Sequence, residues 1–214
     1  MFDDRKDAGK KLAARLRRLA GEKPIVFALP RGGVVVGFEI AKALKAPLDV
    51  VLVRKLGAPD QPELALGAVV EGETPELVTN PEIVAALGLS ASDLEKGKQH
   101  LLREIAERQR RYRGGRKRTP ATGRTAIVVD DGIATGATVR AALRVLRKEG
   151  PKRLILAVPV APPETLERLA QDADDTLCLE APPDFGAVGF YYADFRQTAD
   201  AEVVALLRAA EAFA

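Results

Sequence analysis

The chain has 214 residues, 47% of them hydrophobic, which is enough to bury one sizeable core, so a single domain over 1–214 is expected. Its 33 basic residues nearly balance 30 acidic ones, for a net charge of +3, so any basic partner site must be local. With serines only at 90 and 92, one histidine, a lone Cys178 in the apolar run TLCLE and no stretch near the ~20 apolar residues that span a bilayer, a Ser-His-Asp hydrolase, a multi-histidine metal centre, an internal disulfide and a membrane helix are excluded, and the chain reads as soluble and cytoplasmic.

The first helix is expected from Asp4 to Ala20, with Leu12, Leu16 and Leu19 on one face and Gly21 as its stop. PIVFAL follows as a buried strand, and after PRGG a helix from about Val34 to Leu44 leads to LDVVLV, a second strand. From Leu64 to Asn80 apolar and polar residues alternate around EGETPE, which predicts a hairpin. The period is helical from Pro81 to Arg113, with a capping box of the form SDLE at Ser92 to Glu95, and His100 lies on this charged stretch as a solvated residue. A basic loop, RGGRKRTPATGR, returns the chain to the strand TAIVVD; a helix from Val139 to Glu149 then ends at Gly150. The strands RLILAVPV and DTLCLE flank a helix at PETLERLAQ. Strand-length apolar runs alternating with helical patterns predict an α/β fold with a mostly parallel sheet.

IVVDDGIATGATV, residues 127–139, is the most informative stretch. It is a turn from a buried strand into a helix, where unpaired backbone N–H groups carry partial positive charge. Gly132, Ala134, Gly136 and Ala137 are small enough to let a phosphate approach them, and Thr135 and Thr138 add hydroxyl donors. Asp130 and Asp131 would repel that phosphate, so a matching ligand must hold its anionic end on the loop and offer hydrogen-bond donors nearby, as a ribose 5-phosphate does. The rival anion-binding motifs, G-x-x-x-x-G-K-[ST] and G-x-G-x-x-G, are both missing. A plain turn with capping aspartates is the alternative. Adjacent aspartates on a strand would face opposite sides, so they could act together only where the strand has ended.

VVDDGIATGAT resembles the signature of the type I phosphoribosyltransferases, a strand, two acidic residues, a small phosphate loop with threonines, and a helix. The resemblance implies a doubly wound, mostly parallel five-stranded core, with a β-hairpin and helical insertion at about 57–124 and a C-terminal hood at about 181–198. It implies a site for 5-phosphoribosyl 1-diphosphate (PRPP), with Asp130 and Asp131 on the ribose hydroxyls and Gly132 and Ala134 to Thr138 around the 5-phosphate. In the family, loops at the positions of Arg31, Gly32 and Gly33, and of Arg54 and Lys55, face the pyrophosphate. LPRGGV follows a buried strand and opens a helix, and VLVRKL leaves Arg54 and Lys55 at the end of another strand, so three strand ends would converge on one crevice. Arg31 and Lys55, with Asp130 and Asp131, are the implied catalytic residues. Mg²⁺ would arrive with PRPP, held mostly by ligand oxygens and water, with no metal site in the protein alone. A homodimer is allowed by the same resemblance.

The acceptor is less legible. The hypoxanthine-guanine enzymes of the family carry an Asp where this chain has Ala134, so a 6-oxopurine is disfavoured. Recognition would fall to APPDFGAVGFYYADF, with Phe185, Phe190 and Tyr191 as candidate acceptor contacts beside Tyr192 and Phe195, although an aromatic cluster also suits a core. Two segments could cover the site: the stretch after Lys55 holding Glu63, Glu71 and Glu73, and a run carrying Arg108, Arg110, Arg111, Arg113, Arg116, Lys117 and Arg118. The run reads as a solvated face with pairs Glu104–Arg108 and Glu107–Arg111, or as a lid over pyrophosphate. A PRPP- or nucleotide-binding regulator without transferase activity is the alternative function; the arginines alternate with glutamates and lack interleaved aromatics, so nucleic acid is disfavoured as a partner.

Overall fold

The computed structural model describes residues 1–58, 61–72 and 75–213, with the backbone alone at 62, 63 and 65. The side chain of Glu63 and all of Glu73 therefore lie outside the described residues. In chain order the elements are α1 (Arg5–Leu16), β1 (Ile25–Ala28), α2 (Gly32–Leu44), β2 (Leu48–Val50), β3 (Val53–Ala58), β4 (Gln61–Val70), β5 (Glu76–Thr79), α3 (Pro81–Ala86), α4 (Ala91–Arg113), β6 (Thr125–Val129), α5 (Ala137–Lys148), β7 (Arg153–Val160), α6 (Pro163–Ala170), β8 (Asp175–Glu180) and α7 (Asp200–Ala210).

β1, β2, β6, β7 and β8 form the expected five-stranded parallel sheet, in the order β2-β1-β6-β7-β8. Side chains alternate across it. Ile25, Phe27, Ala126, Val128, Leu154 and Leu156 pack with Val139, Leu143 and Leu146 of α5. Val26, Ile127, Val129 and Ile155 pack with Leu12 and Leu16 of α1 and Val36 and Ile40 of α2. Both faces are buried, which is why the strands read as unbroken apolar runs rather than as alternating patterns. From β1 the chain goes outward through α2 to β2, then returns to place β6 on the other side of β1. The order thus reverses between β1 and β6, and a crevice opens there at the carboxyl ends of the strands.

Between β2 and β6 the chain builds an antiparallel sheet in the order β3-β4-β5, followed by α3 and α4. LDVVLV is thereby split: the parallel strand ends at Val50, and Val53 begins the antiparallel one. Arg113 joins the two sheets. It donates to Glu71 on the β4 side at 2.6 and 2.7 Å, to Asp49 of β2 at 2.8 Å and to the Val50 carbonyl, with its side chain 5% exposed. One member of the arginine run is therefore buried rather than solvated, because α4 brings it between two carboxylates. The expected pairs Glu104–Arg108 and Glu107–Arg111 are not formed among the described residues; Glu104 bonds Arg54 at 2.7 Å and Arg111 pairs with Asp200. Exposed His100 lies 3.3 Å from Glu104.

Several elements differ from expectation: α2 and α5 each begin two residues earlier, at Gly32 and Ala137, and the helical stretch from Pro81 to Arg113 is divided into α3 and α4. α1 stops at Leu16 and continues as a 3-10 turn over Arg17–Glu22. The capping box of α4 is Ser90 with Asp93, two residues ahead of Ser92 and Glu95. Residues beyond the hood form α7, whose Val203 and Leu207 pack with Val34 and Tyr112. Cys178 is half-buried, its thiol pushed up to about 11 by that burial. No helix among the described residues is long and apolar enough to cross a membrane.

Candidate active site

The crevice is made by two strand-to-helix loops in contact. β1 runs out through Leu29, whose N–H donates to the Val129 carbonyl at 2.9 Å, and the chain turns at Pro30 into α2 with Arg31 as its N-cap. β6 ends at Val129, and residues 130–136 carry the chain into α5. Because the strand has ended, the two carboxylates are freed from opposite faces, and both lie against the first loop. A Cβ on Gly32 would collide with the Asp131 carboxylate, and one on Gly33 would lie 2.9 Å from the Val129 carbonyl and 3.1 Å from Asp130 Oδ1. PRGG needs its glycines to admit the acidic pair.

The pair is not left as two free charges. Asp131 Oδ2 accepts from Arg5 Nε at 2.6 Å, with side chains 11% and 17% exposed, and the Asp131 carbonyl accepts from the Tyr192 hydroxyl. Burial, then the neighbouring Asp131, push the Asp130 carboxyl well above the usual carboxylate range, and Arg5 opposes the rise. Burial likewise raises the Tyr192 phenol, which keeps it a hydrogen-bond donor.

Downstream, the loop is anchored at its middle and open at its tip. Ile133 is buried and donates its N–H to the Val160 carbonyl at 2.9 Å; the Ala134 carbonyl accepts from Thr165 Oγ1 at 3.0 Å. Ala134 and Thr135 are exposed, and Ala137 and Thr138 form the half-buried first turn of α5. Gly136 is the N-cap at φ +78°, a conformation that glycine adopts without strain, and a Cβ there would lie 2.9 Å from Thr165 Cγ2. Gly132 lies under Val188 of the hood. With no bulky side chain at the tip, the unpaired N–H groups of this 12-residue helix face an approachable surface.

The other sequence candidates are spread more widely. Arg31 is at the crevice, but its Nη1 lies 4.0 Å from Asp200 of α7. Asp200 also accepts from Tyr112 at 2.5 Å and from Arg111, and the Tyr112 hydrogen bond leads in holding its carboxyl low. Arg54 and Lys55 do not stand at the end of a parallel strand. They sit within β3, opposite Val69 and Ala68, with Arg54 turned to Glu104 and Lys55 exposed, because the chain changes sheets after Val50. Of the hood residues, Phe185 and Tyr192 are buried with Phe2 and Val160, Tyr191 stacks on Phe185 at 5.5 Å, and Phe190 is 73% exposed. Part of the aromatic cluster is thus core, which disposes Phe190 alone as a free ring face. Arg5 escaped the sequence reading, since nothing local separates it from the other charges of its helix.

Among the described residues, no group of three or more His, Cys, Asp or Glu is arranged to hold a metal ion. The hard oxygens of the acidic pair suit Mg²⁺ in kind, but Asp131 is already engaged by Arg5.

A family model described as a phosphoribosyl transferase domain matches residues 2–195 of the chain. In Mycobacterium tuberculosis, proteins of strains CDC 1551 and H37Rv provisionally named phosphoribosyl transferases are each 51% identical over 207 residues, 97% of this chain and 46% of theirs. The chain therefore spans about half the length of these curated relatives. A crystal structure of a protein from Thermus thermophilus is 48% identical, covers 97% of both chains and superposes with a TM-score of 0.83.

Proposed function

From the premise that the chain belongs to the phosphoribosyl transferase family, we propose that it transfers the 5-phosphoribosyl group of PRPP to a small nitrogen nucleophile, a nucleobase or a relative of one, and releases pyrophosphate. The observation that carries the reading is the contact between PRGG and DDGIATGAT, which sets a carboxyl pair beside a bare helix N-terminus at the switch point of the sheet. In this reading the N–H groups from Ala134 to Thr138 hold the 5-phosphate, the acidic pair lies beside the ribose hydroxyls, and Gly32, Gly33 and Arg31 receive the diphosphate.

Breaking the C1–O bond leaves positive charge on the sugar and negative charge on the departing pyrophosphate. The chain contributes by fixing the phosphate and the sugar and by offering Arg31 to the anion. Mg²⁺ carried in by PRPP would supply further screening of the leaving group, held mostly by ligand oxygens and water. Lys55, exposed on the antiparallel sheet, is the further candidate for the diphosphate. Phe190, the exposed ring of the hood, is the residue best disposed to meet a flat acceptor.

The test is ligand-induced stabilisation followed by turnover. At a hundred times its Kd, PRPP with Mg²⁺ should stabilise the chain by ~2.7 kcal/mol, or on the order of 5–10 °C in Tm. Pyrophosphate release with a panel of bases then identifies the acceptor. Stabilisation without release with any base would favour a PRPP-binding module, and no stabilisation would leave DDGIATGAT as a capping turn.

A further inference from the structure

The most unusual feature of the crevice is the route by which Asp131 is held. Its partner, Arg5, comes from the first turn of α1, 126 positions away in sequence. The same guanidinium donates from Nη1 to the Arg196 carbonyl at 2.8 Å and lies 3.9 Å from the centre of the Phe195 ring. One side chain thus touches the acidic loop, the polar backbone of the hood and an aromatic face of the hood. A planar guanidinium can do all three at once, whereas an ammonium is a point charge without that fork. Nor is this a surface ion pair of negligible worth, since both side chains are largely withdrawn from water.

The geometry also limits what Asp131 can do. Its Oδ2 lies between Arg5 Nε and Gly32, so close to the latter that no Cβ fits. That oxygen is committed to the protein before any ligand arrives. An unpaired carboxylate here would stand beneath a ligand that carries several negative charges; a paired one presents almost no net charge.

Resting on the transferase reading, we propose that Arg5 is a positioning residue of the PRPP site, acting through Asp131: it pins that carboxylate to the PRGG loop, cancels its charge beneath the polyanionic substrate and fastens the hood to the loop. Asp131 is then an anchor for the crevice, and the free acceptor capacity for the ribose falls mainly to Asp130. The charged and titratable groups facing the pair are Arg5 from α1 and Tyr192 from the hood, with Asp4 of the α1 N-cap acting on Tyr192; Arg31 of α2 is turned toward Asp200.

Calorimetric titration of the full chain with PRPP and Mg²⁺ tests this, using Arg5→Met, Arg5→Lys, Asp131→Asn and Arg5→Met with Asp131→Asn. Arg5→Met should weaken PRPP by about tenfold, Arg5→Lys should restore only the part of that loss that depends on charge, and the double variant should bind better than Arg5→Met because Asp131 is no longer left as an unpaired carboxylate. Arg5 opposes the rise at Asp130, so the pH below which PRPP affinity changes should move upward in Arg5→Met and hold in Arg5→Lys; a packing role alone would move Tm and leave that profile in place. Wild-type binding of PRPP matched by Arg5→Met, in both affinity and pH profile, would overturn the inference alone. Additive losses in the double variant would do the same; if Arg5→Met is poorly folded, Arg5→Gln takes its place in the single and the double variant. Failure of the wild-type chain to bind PRPP at all would overturn the transferase reading itself.

Discussion

Replacing Arg113 by Met would leave two carboxylates facing each other between the sheets with no cation. Glu71 is 2% exposed and Asp49 13% exposed at the side chain, and Arg113 donates to both as well as to the Val50 carbonyl. Breaking a buried ion pair by removing one partner costs ~3–5 kcal/mol, since the remaining charge loses its compensation in a medium that solvates it poorly. Here the lower end applies. Glu71 would keep the Leu52 N–H at 2.9 Å and Gln109 at 2.8 Å, and Asp49 would keep the N–H groups of Val50 and Thr119, each at 2.8 Å. For a chain of this size ~3 kcal/mol corresponds to roughly 6–12 °C in Tm. Differential scanning calorimetry at pH 7 reads this, with Arg111→Met as the control: its side chain is 57% exposed, and its loss should cost no more than ~1 kcal/mol. Adding Glu71→Met to Arg113→Met should recover part of the loss, because the uncompensated charge is then gone. An Arg113→Met protein melting within ~2 °C of wild type would refute the idea that this cation joins the sheets.

Asp130 offers a pH-dependent test. Its carboxyl is raised in the folded chain above its ordinary value, so the folded state binds more protons than the unfolded one between those two pKa values, and stability is fully present below the ordinary value and lost as pH rises through the folded one. Asp130→Asn should remove that decline, so denaturant melts from pH 4 upward should show the variant gaining on wild type; parallel curves would mean that Asp130 is solvated. Gly136→Ala places a Cβ at φ +78° and 2.9 Å from Thr165 Cγ2, which should cost ~1–2 kcal/mol in urea melts and weaken ribose 5-phosphate as well as PRPP; loss of PRPP alone would move the 5-phosphate away from this loop.

Much of the fold could be read from the chain because the signals are local. Ile25–Ala28, Thr125–Val129 and Arg153–Val160 are apolar runs of strand length, and each leads to a turn that opens a helix, so the parallel sheet follows from period and punctuation. The small residues from Gly132 to Thr138 likewise announce an approachable helix N-terminus, since side-chain volume and backbone freedom are properties of the residues themselves. The sequence places the capping box two residues late, at Ser92–Glu95, because the helix is capped by Ser90 with Asp93, an Asp where the motif is recognised by Glu or Gln. LDVVLV offered no sign that it would divide between two sheets, because hydrogen-bond partners for Val53 and Arg54 come from β4 and not from their own neighbourhood. The charged residues were the least legible of all. Arg5 and Arg113 look alike as residues in charged surroundings and Arg31 stands between proline and glycine, yet Arg5 meets Asp131, Arg113 is buried against Glu71 and Asp49, and Arg31 approaches Asp200. Apolar burial has no direction and is recorded in the periodicity of each segment, whereas a charge acts through the one or two groups placed within a few ångströms of it, and those come from segments that only the folded chain brings together.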